Sequence, residues 1–196
     1  MGRTVYWMNV SIDLRIEHRP DEQGGGKWMR IGDELHRAFN ERAARLAMMF
    51  QGRTIYETME SFWPKAAADE TMPDYMREYG RIWTAMPKVL VSNTRREAGH
   101  NTRVVGGDGA MEDLARLREQ VDGDIGVGGA TLATHLRRAG LLDQLLLFVH
   151  PVVLGTGRPL FDDAEPTVEC DLLEHATFPD GVVMHRYAIR HPAAVA

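Results

Sequence analysis

The stretch from Asp124 to Gly140 leaves the fewest folds open to this chain. Ile125–Val127 is a short apolar run, Gly128 and Gly129 follow at once, and Leu132, Ala133, Leu136 and Ala139 then recur at helical spacing. Gly140 stands where a C′ glycine ends a helix. The pattern is a strand, a tight turn and a helix whose first N–H groups are left open. Such a helix start attracts phosphate through free donors and the positive end of the dipole. Glycine lets a ligand approach the backbone closely, because no Cβ intervenes. The stretch lacks the GxGxxG pattern, so tight packing alone also accounts for it.

The rest of the chain repeats the alternation. Thr4–Val10 reads as a first strand. Ser11–Ile31, with Pro20 and the triplet Gly24–Gly26, reads as a long loop that Trp28 and Met29 dock in part. Gly32–Arg45 reads as a helix with Asp33 and Glu34 in its first turn, and Leu46–Gln51 as a short strand. Thr54 and Glu57 match a capping box, which starts a short helix that Trp63–Pro64 should end. A weaker helix is expected around Met72–Tyr79, and strands at Lys88–Ser92 and Thr102–Val105. Asp108, in a second glycine turn, is an expected N-cap for a helix reaching Gln120. The apolar run Gln144–Val153 reads as a buried central strand. Thr167–Phe178 and Val182–Arg190 read as a hairpin around Pro179-Asp180-Gly181, and the last five residues as a frayed end. This order predicts a mostly parallel sheet with helices on both faces and antiparallel strands at the C-terminal edge.

Charge and composition exclude several classes. The 196 residues carry a net charge of −5, which gives no general case for nucleic acid or an anionic membrane. One domain spanning 1–196 is expected. Cys170 is the single cysteine, so no disulfide framework forms and a reducing cytoplasm is the expected location; Cys170 itself reads as a buried strand residue. No apolar run is long enough for a membrane span. The histidines show no paired-ligand spacing, so no metal site is expected.

Chemistry should gather at the strand ends, where open α/β sheets bind ligands. Gly52-Arg53-Thr54, Ser92–Arg96 and Gly128–Leu132 each follow a strand and offer hydroxyls, basic groups or free helix N–H groups. Together they suit the phosphates of a dinucleotide. Arginine reads a 2′-phosphate through its planar fork; Arg53 is the first candidate, before Arg95 and Arg96.

GRTIYETM followed by FW, KVLVSNT, and the block Ile125–Phe161 resemble the dihydrofolate reductase-like family, in particular the bacterial group that shares the reductase domain of riboflavin biosynthesis. The resemblance implies a three-layer α/β/α domain, NADPH as cofactor, reduction of a small heterocycle and a homodimer built through Leu145–Val153 and its neighbours. It assigns the cofactor to Gly52, Arg53, Thr54, Ser92, Asn93, Thr94, Gly128, Gly129, Ala130, Thr131 and Leu132. The family's S-L-D-G turn falls on Ser11-Ile12-Asp13-Leu14, where leucine replaces glycine. Asp13 and His36 are the catalytic candidates the resemblance points to, His36 lying, with Asp33 and Glu34 close by, near the family's acidic position on the first helix. Two other readings are a non-catalytic nucleotide- or flavin-binding protein of the same fold, and the riboflavin-pathway reductase itself.

Overall fold

The computed structural model describes residues 1–16, 26–163 and 167–191. Eight strands form one sheet: β1 (Arg3–Ser11), β2 (Met48–Gly52), β3 (Lys88–Val91), β4 (Thr102–Val105), β5 (Asp124–Gly128), β6 (Gln144–His150), β7 (Cys170–Thr177) and β8 (Val183–Ile189). Their order is β4-β3-β2-β5-β1-β6-β8-β7. The first six are parallel, and β8 and β7 add to the β6 side antiparallel. This is the three-layer α/β/α dihydrofolate reductase-like architecture expected from the sequence.

The alternation of side chains along each strand builds a core on both sheet faces. On one face Tyr6, Phe50, Val127 and Leu147 pack with α4 (Ala110–Gln120) and α5 (Ala130–Arg138), through Leu114, Leu132 and Leu136. On the other, Leu90, Phe148 and Met184 pack with α1 (Asp33–Ala44), α2 (Arg53–Ala68) and α3 (Asp74–Ala85), through Leu35, Phe39, Tyr56 and Trp83. Lys88 is buried in this second layer, where its ammonium donates to the carbonyls of Trp83 and Met86 at the end of α3. Burial lowers its pKa to about 8, while those carbonyls replace water around the charge.

Several local expectations are corrected. α2 does not stop at Pro64 but runs on to Ala68. Its contact with α3 explains this: a Cβ on Gly80 would lie 2.5 Å from the carbonyl oxygen of Trp63, so only glycine admits this approach, and the Trp63 and Tyr79 rings pack tilted beside it with centroids 4.5 Å apart. Tertiary packing thus outweighs the hydrogen bond lost at proline. Thr54 is no cap. Gly52 occupies the N-cap position of α2, and Glu57 turns to Arg53 instead. Asp108 gives way likewise to Gly109. β6 ends at His150, before Pro151, rather than at Val153. Cys170 opens β7 but is exposed, because β7 is the sheet's edge strand. The expected frayed tail lies outside the described residues, as does the middle of the Ser11–Ile31 loop. The described end of that loop does dock: Trp28 stands edge-on to His150 at 5.5 Å.

Candidate functional site

β2 and β5 are neighbours, yet the helices they feed leave on opposite faces, α2 on one and α5 on the other. Divergence of this kind opens a crevice beyond the carboxyl ends of the two strands. Glycine lines it on both sides. Gly129, the N-cap of α5, has φ +102°, a conformation that L side chains rarely adopt. A Cβ placed on it would meet the Cα and N of Gly52 at 3.7 Å. Gly52, the N-cap of α2, is extended. Neither glycine can supply a capping side chain, so both helix starts present N–H groups to one crevice. Gly52, Arg53 and Thr54 therefore converge with Gly128, Gly129, Ala130, Thr131 and Leu132. Thr131 is engaged from one side: its hydroxyl donates to Asp162 at 2.7 Å and accepts from Arg158 at 2.5 Å.

The third element adjoins β2 through β3. Ser92 and Asn93 shape the turn. The Ser92 hydroxyl accepts the N–H groups of Thr94 and Arg95 at 3.2 and 3.0 Å, and Asn93 Oδ1 accepts that of Gly107 at 2.7 Å. Gly106 is obligatory here, since a Cβ would stand 2.2 Å from the carbonyl oxygen of Ser92. Ser92, Asn93, Arg95, Arg96, Gly106 and Gly107 line a polar cavity of about 270 Å³. Thr94 is exposed at its turn.

The three arginines differ in what they hold. Arg95 is committed to Glu60 through two hydrogen bonds, at 2.6 and 3.3 Å, and lies over the Tyr56 ring. Arg53 pairs with Glu57 at 3.2 Å on an exposed helix face, an interaction of about 0.3–0.5 kcal/mol that a phosphate displaces easily. Arg96 is exposed, with no partner among the described residues, and it lines the cavity.

The two catalytic candidates are not brought together. Ser11–Arg15 folds as a tight turn, and both Asp13 oxygens serve it. Oδ1 accepts from the Ser11 hydroxyl and the Leu154 N–H at 2.7 and 3.0 Å, and Oδ2 from the Gly155 N–H at 2.9 Å. The Ser11 hydroxyl and then these N–H groups lower its pKa to about 2. Asp13 is thus a carboxylate that fastens the loop after β6, with no proton to give at neutral pH. Leu14 has φ 54°, in the left-handed region that favours glycine, at the position where the family's pattern has glycine. His36 does not reach the strand ends. It is buried in the helical layer among Phe39, Trp63, Tyr75 and Tyr79, 3.2 Å from Asn40, and burial lowers its pKa. Its place three residues into an amphipathic helix, on the stripe of Phe39 and Asn40, accounts for that burial.

Sequence reasoning missed a pair at the ends of β1 and β6. His150 is fully buried, and its Nε2 lies 2.9 Å from Asn9 Oδ1. The only local signals are a polar residue inside the β1 pattern and a histidine that ends the β6 apolar run.

Fold and strand-end geometry together define a reductase-type α/β/α domain. The model of the RibD C-terminal domain family matches residues 5–184, and the chain belongs to that family. It is 29% identical over 186 residues to the uncharacterized protein YyaP of Bacillus subtilis, covering 94% of each chain. A pyrimidine reductase-like protein from Corynebacterium diphtheriae shares the fold with a TM-score of 0.64 at 13% identity, over 97% of this chain and 93% of that one. Dihydrofolate reductase from Enterococcus faecalis, complexed with NADP(H) and RAB-propyl, gives a TM-score of 0.62 at 12% identity, over 97% and 98%. Among the described residues no helix is long and apolar enough to cross a membrane.

Proposed function

We propose that the protein is an NADPH-dependent reductase that transfers hydride to a small flat heterocycle. One observation carries the reading: two uncapped helix starts, so close that a Cβ on Gly129 would lie 3.7 Å from Gly52, open into one crevice beside a polar cavity with a free arginine. The N–H groups at Arg53, Thr54, Ala130, Thr131 and Leu132 suit a pyrophosphate, and Arg96 with Arg53 suits a 2′-phosphate. NADPH supplies the hydride when bound; the chain's part is to hold donor and acceptor together and to exclude water. The Ser11–Arg15 turn, fastened by Asp13, closes the nicotinamide end. Asp13 therefore acts as a positioning residue. The proton comes from solvent, since neither Asp13 nor His36 offers one to the crevice. Loss of nicotinamide absorbance across a panel of pterins, pyrimidine–ribityl compounds and quinones tests the activity. Turnover of at least one supports it, and stable NADPH with all of them contradicts it.

The withdrawal of both candidate acids from the crevice favours a second reading, a nucleotide- or flavin-binding protein without turnover. Tight NADPH or flavin binding with no oxidation in that panel identifies this case.

A homodimer belongs to the same proposal. β6 is paired on both sides, so it has no edge to offer a second copy. Its face does: Leu145, Leu147, Leu160, Phe161 and Tyr187 line an apolar trough of about 480 Å³, and Leu172 and Leu173 are half exposed on neighbouring β7. Light scattering after size exclusion at micromolar concentration reads twice the 22.1 kDa chain mass if the trough is an interface, and the single mass if it is not.

A further inference from the structure

We infer that Asn9 is the residue that reads the substrate, donating from its amide nitrogen to an acceptor atom on the heterocycle, and that His150 is the positioning residue that fixes which way this amide faces. The inference rests on the reductase reading for where the substrate lies, but the Asn9–His150 geometry stands by itself.

The backbone N–H of Arg30 donates to Nδ1 of His150 at 2.9 Å. Nδ1 is therefore an acceptor, and in a neutral ring the proton sits on Nε2. Nε2 then donates across 2.9 Å to Asn9 Oδ1. Nothing leaves the ring free to turn: it is fully buried, and Trp28 stands edge-on to it at 5.5 Å. A neutral imidazole with this tautomer accepts only the oxygen side of the amide, since the opposite rotamer would set N–H against N–H. The Asn9 NH₂ is thereby directed away from His150, and it has no partner among the described residues. A second donor, Trp28 Nε1, is buried and also without a partner.

Position gives these donors their use. Asn9 shares a face of β1 with Val5 and Trp7, the face that carries α1. Trp7, Phe39 and Phe148 form an aromatic floor there, with ring centroids 4.7–6.0 Å apart. Asn9 is one step further toward the carboxyl end of the strand, half-buried, next to the Ser11–Arg15 turn. Helix α1 brings no carboxylate to this floor. Phe39 is part of it and Leu35 packs in the same cluster, His36 is turned into the helical layer, and Asp33 and Glu34 are exposed. Phe39 and Phe148 are buried, but Trp7 and Asn9 at the rim are half-buried; a flat ring can lie against that rim, and an amide N–H there selects a ring with a carbonyl oxygen over one with an amino group in that place.

Asn9→Asp tests this, because the variant is isosteric. One carboxylate oxygen keeps the His150 contact, and the other puts an acceptor where wild type has a donor. The probes are 2-amino-4-oxopteridine and 2,4-diaminopteridine, titrated by fluorescence, with NADPH titrated separately. Wild type binds the oxo compound at least about tenfold more tightly, as one hydrogen bond against one repulsive contact implies. Asn9→Asp reverses the preference and Asn9→Ala removes it. His150→Phe, which frees the amide to rotate, lowers the preference without reversing it, while NADPH affinity is little changed in all three. Equal binding of the two pteridines by wild type, an unchanged preference in Asn9→Asp, or no binding of either at millimolar concentration overturns the assignment. Failure of NADPH alone to bind overturns the reductase reading and leaves the amide assignment to the pteridine result.

Discussion

Gly129 and Gly52 meet across the crevice between β2 and β5, a Cβ on the first standing 3.7 Å from the Cα of the second. The contact joins the starts of α5 and α2, and two helix N-termini then bear on one space. Gly129→Ala forces a side chain into φ +102°, at a cost of about 1–3 kcal/mol, and puts a methyl group between the donors. It should lower the melting temperature and weaken NADPH binding at least about tenfold. Gly140→Ala is the control. Gly140 also has positive φ, +66°, but a Cβ there meets nothing within 4 Å. That variant should lose about 1 kcal/mol of stability and keep its NADPH affinity. Equal loss of binding in both variants would mean that Gly129 acts through stability alone.

Arg96→Ala should cost about 1.5–3 kcal/mol of NADPH binding and leave NADH unaffected, as expected for loss of a charge-assisted contact to a 2′-phosphate. Arg53→Ala should act in the same direction but less, because Arg53 already spends part of its charge on Glu57. Arg95→Ala should chiefly destabilise, since it leaves Glu60 and the Tyr56 face without their partner. Isothermal titration with both cofactors checks all three. An undiminished NADPH preference in Arg96→Ala and Arg53→Ala alike removes both from the cofactor site.

Leu14 holds φ 54° where the family's turn has glycine. A β-carbon in this region costs about 1–2 kcal/mol. Leu14→Gly relieves it, although glycine adds freedom to the unfolded chain. The expected net gain is about 0.5–1 kcal/mol, read from urea unfolding. The Leu14 side chain is 45% exposed, so little buried surface is lost. A clear loss of stability would show that leucine packs the turn more than it strains it.

His150 makes stability depend on pH in a definite window. Burial, and then the Arg30 charge, lowers its pKa from 6.5 to about 4. The folded state thus binds fewer protons than the unfolded one between these values. Stability is complete above about 6.5 and falls as the pH drops toward 4. Asp13, lowered to about 2, adds a second loss that begins only below about 4. Chemical denaturation from pH 7 to 3 should show the first decline in wild type and a flatter curve over that range in His150→Gln. Nitrogen NMR of the imidazole should show a neutral ring protonated at Nε2 down to about pH 5. A ring protonated at Nδ1 contradicts the Asn9 orientation.

What could be read from the sequence was local. Gly128-Gly129 and Gly140 announce a turn and a helix stop because glycine's conformational freedom is intrinsic, and the strand–helix alternation follows from side-chain period. Pro64 misled for the opposite reason. Its helix continues because Gly80, far along the chain, lets α3 approach. Cys170 suggested burial by residue type, but edge position is a property of sheet order, which appears only once β8 pairs with β6. Asp13 was visible as a residue but not as a clasp, since its partners Leu154 and Gly155 lie 141 and 142 positions on, after β6. Asn9 and His150 stand 141 positions apart, and no local pattern joins them.

The central claim is that the crevice holds NADPH. Titration against tryptophan fluorescence tests it most directly, because Trp7 lies on the sheet face beside the strand ends and Trp28 packs on His150. Saturable quenching by NADPH in the micromolar range, with NADH at least about tenfold weaker, is the predicted result. An unchanged signal at millimolar NADPH, confirmed by calorimetry, contradicts it.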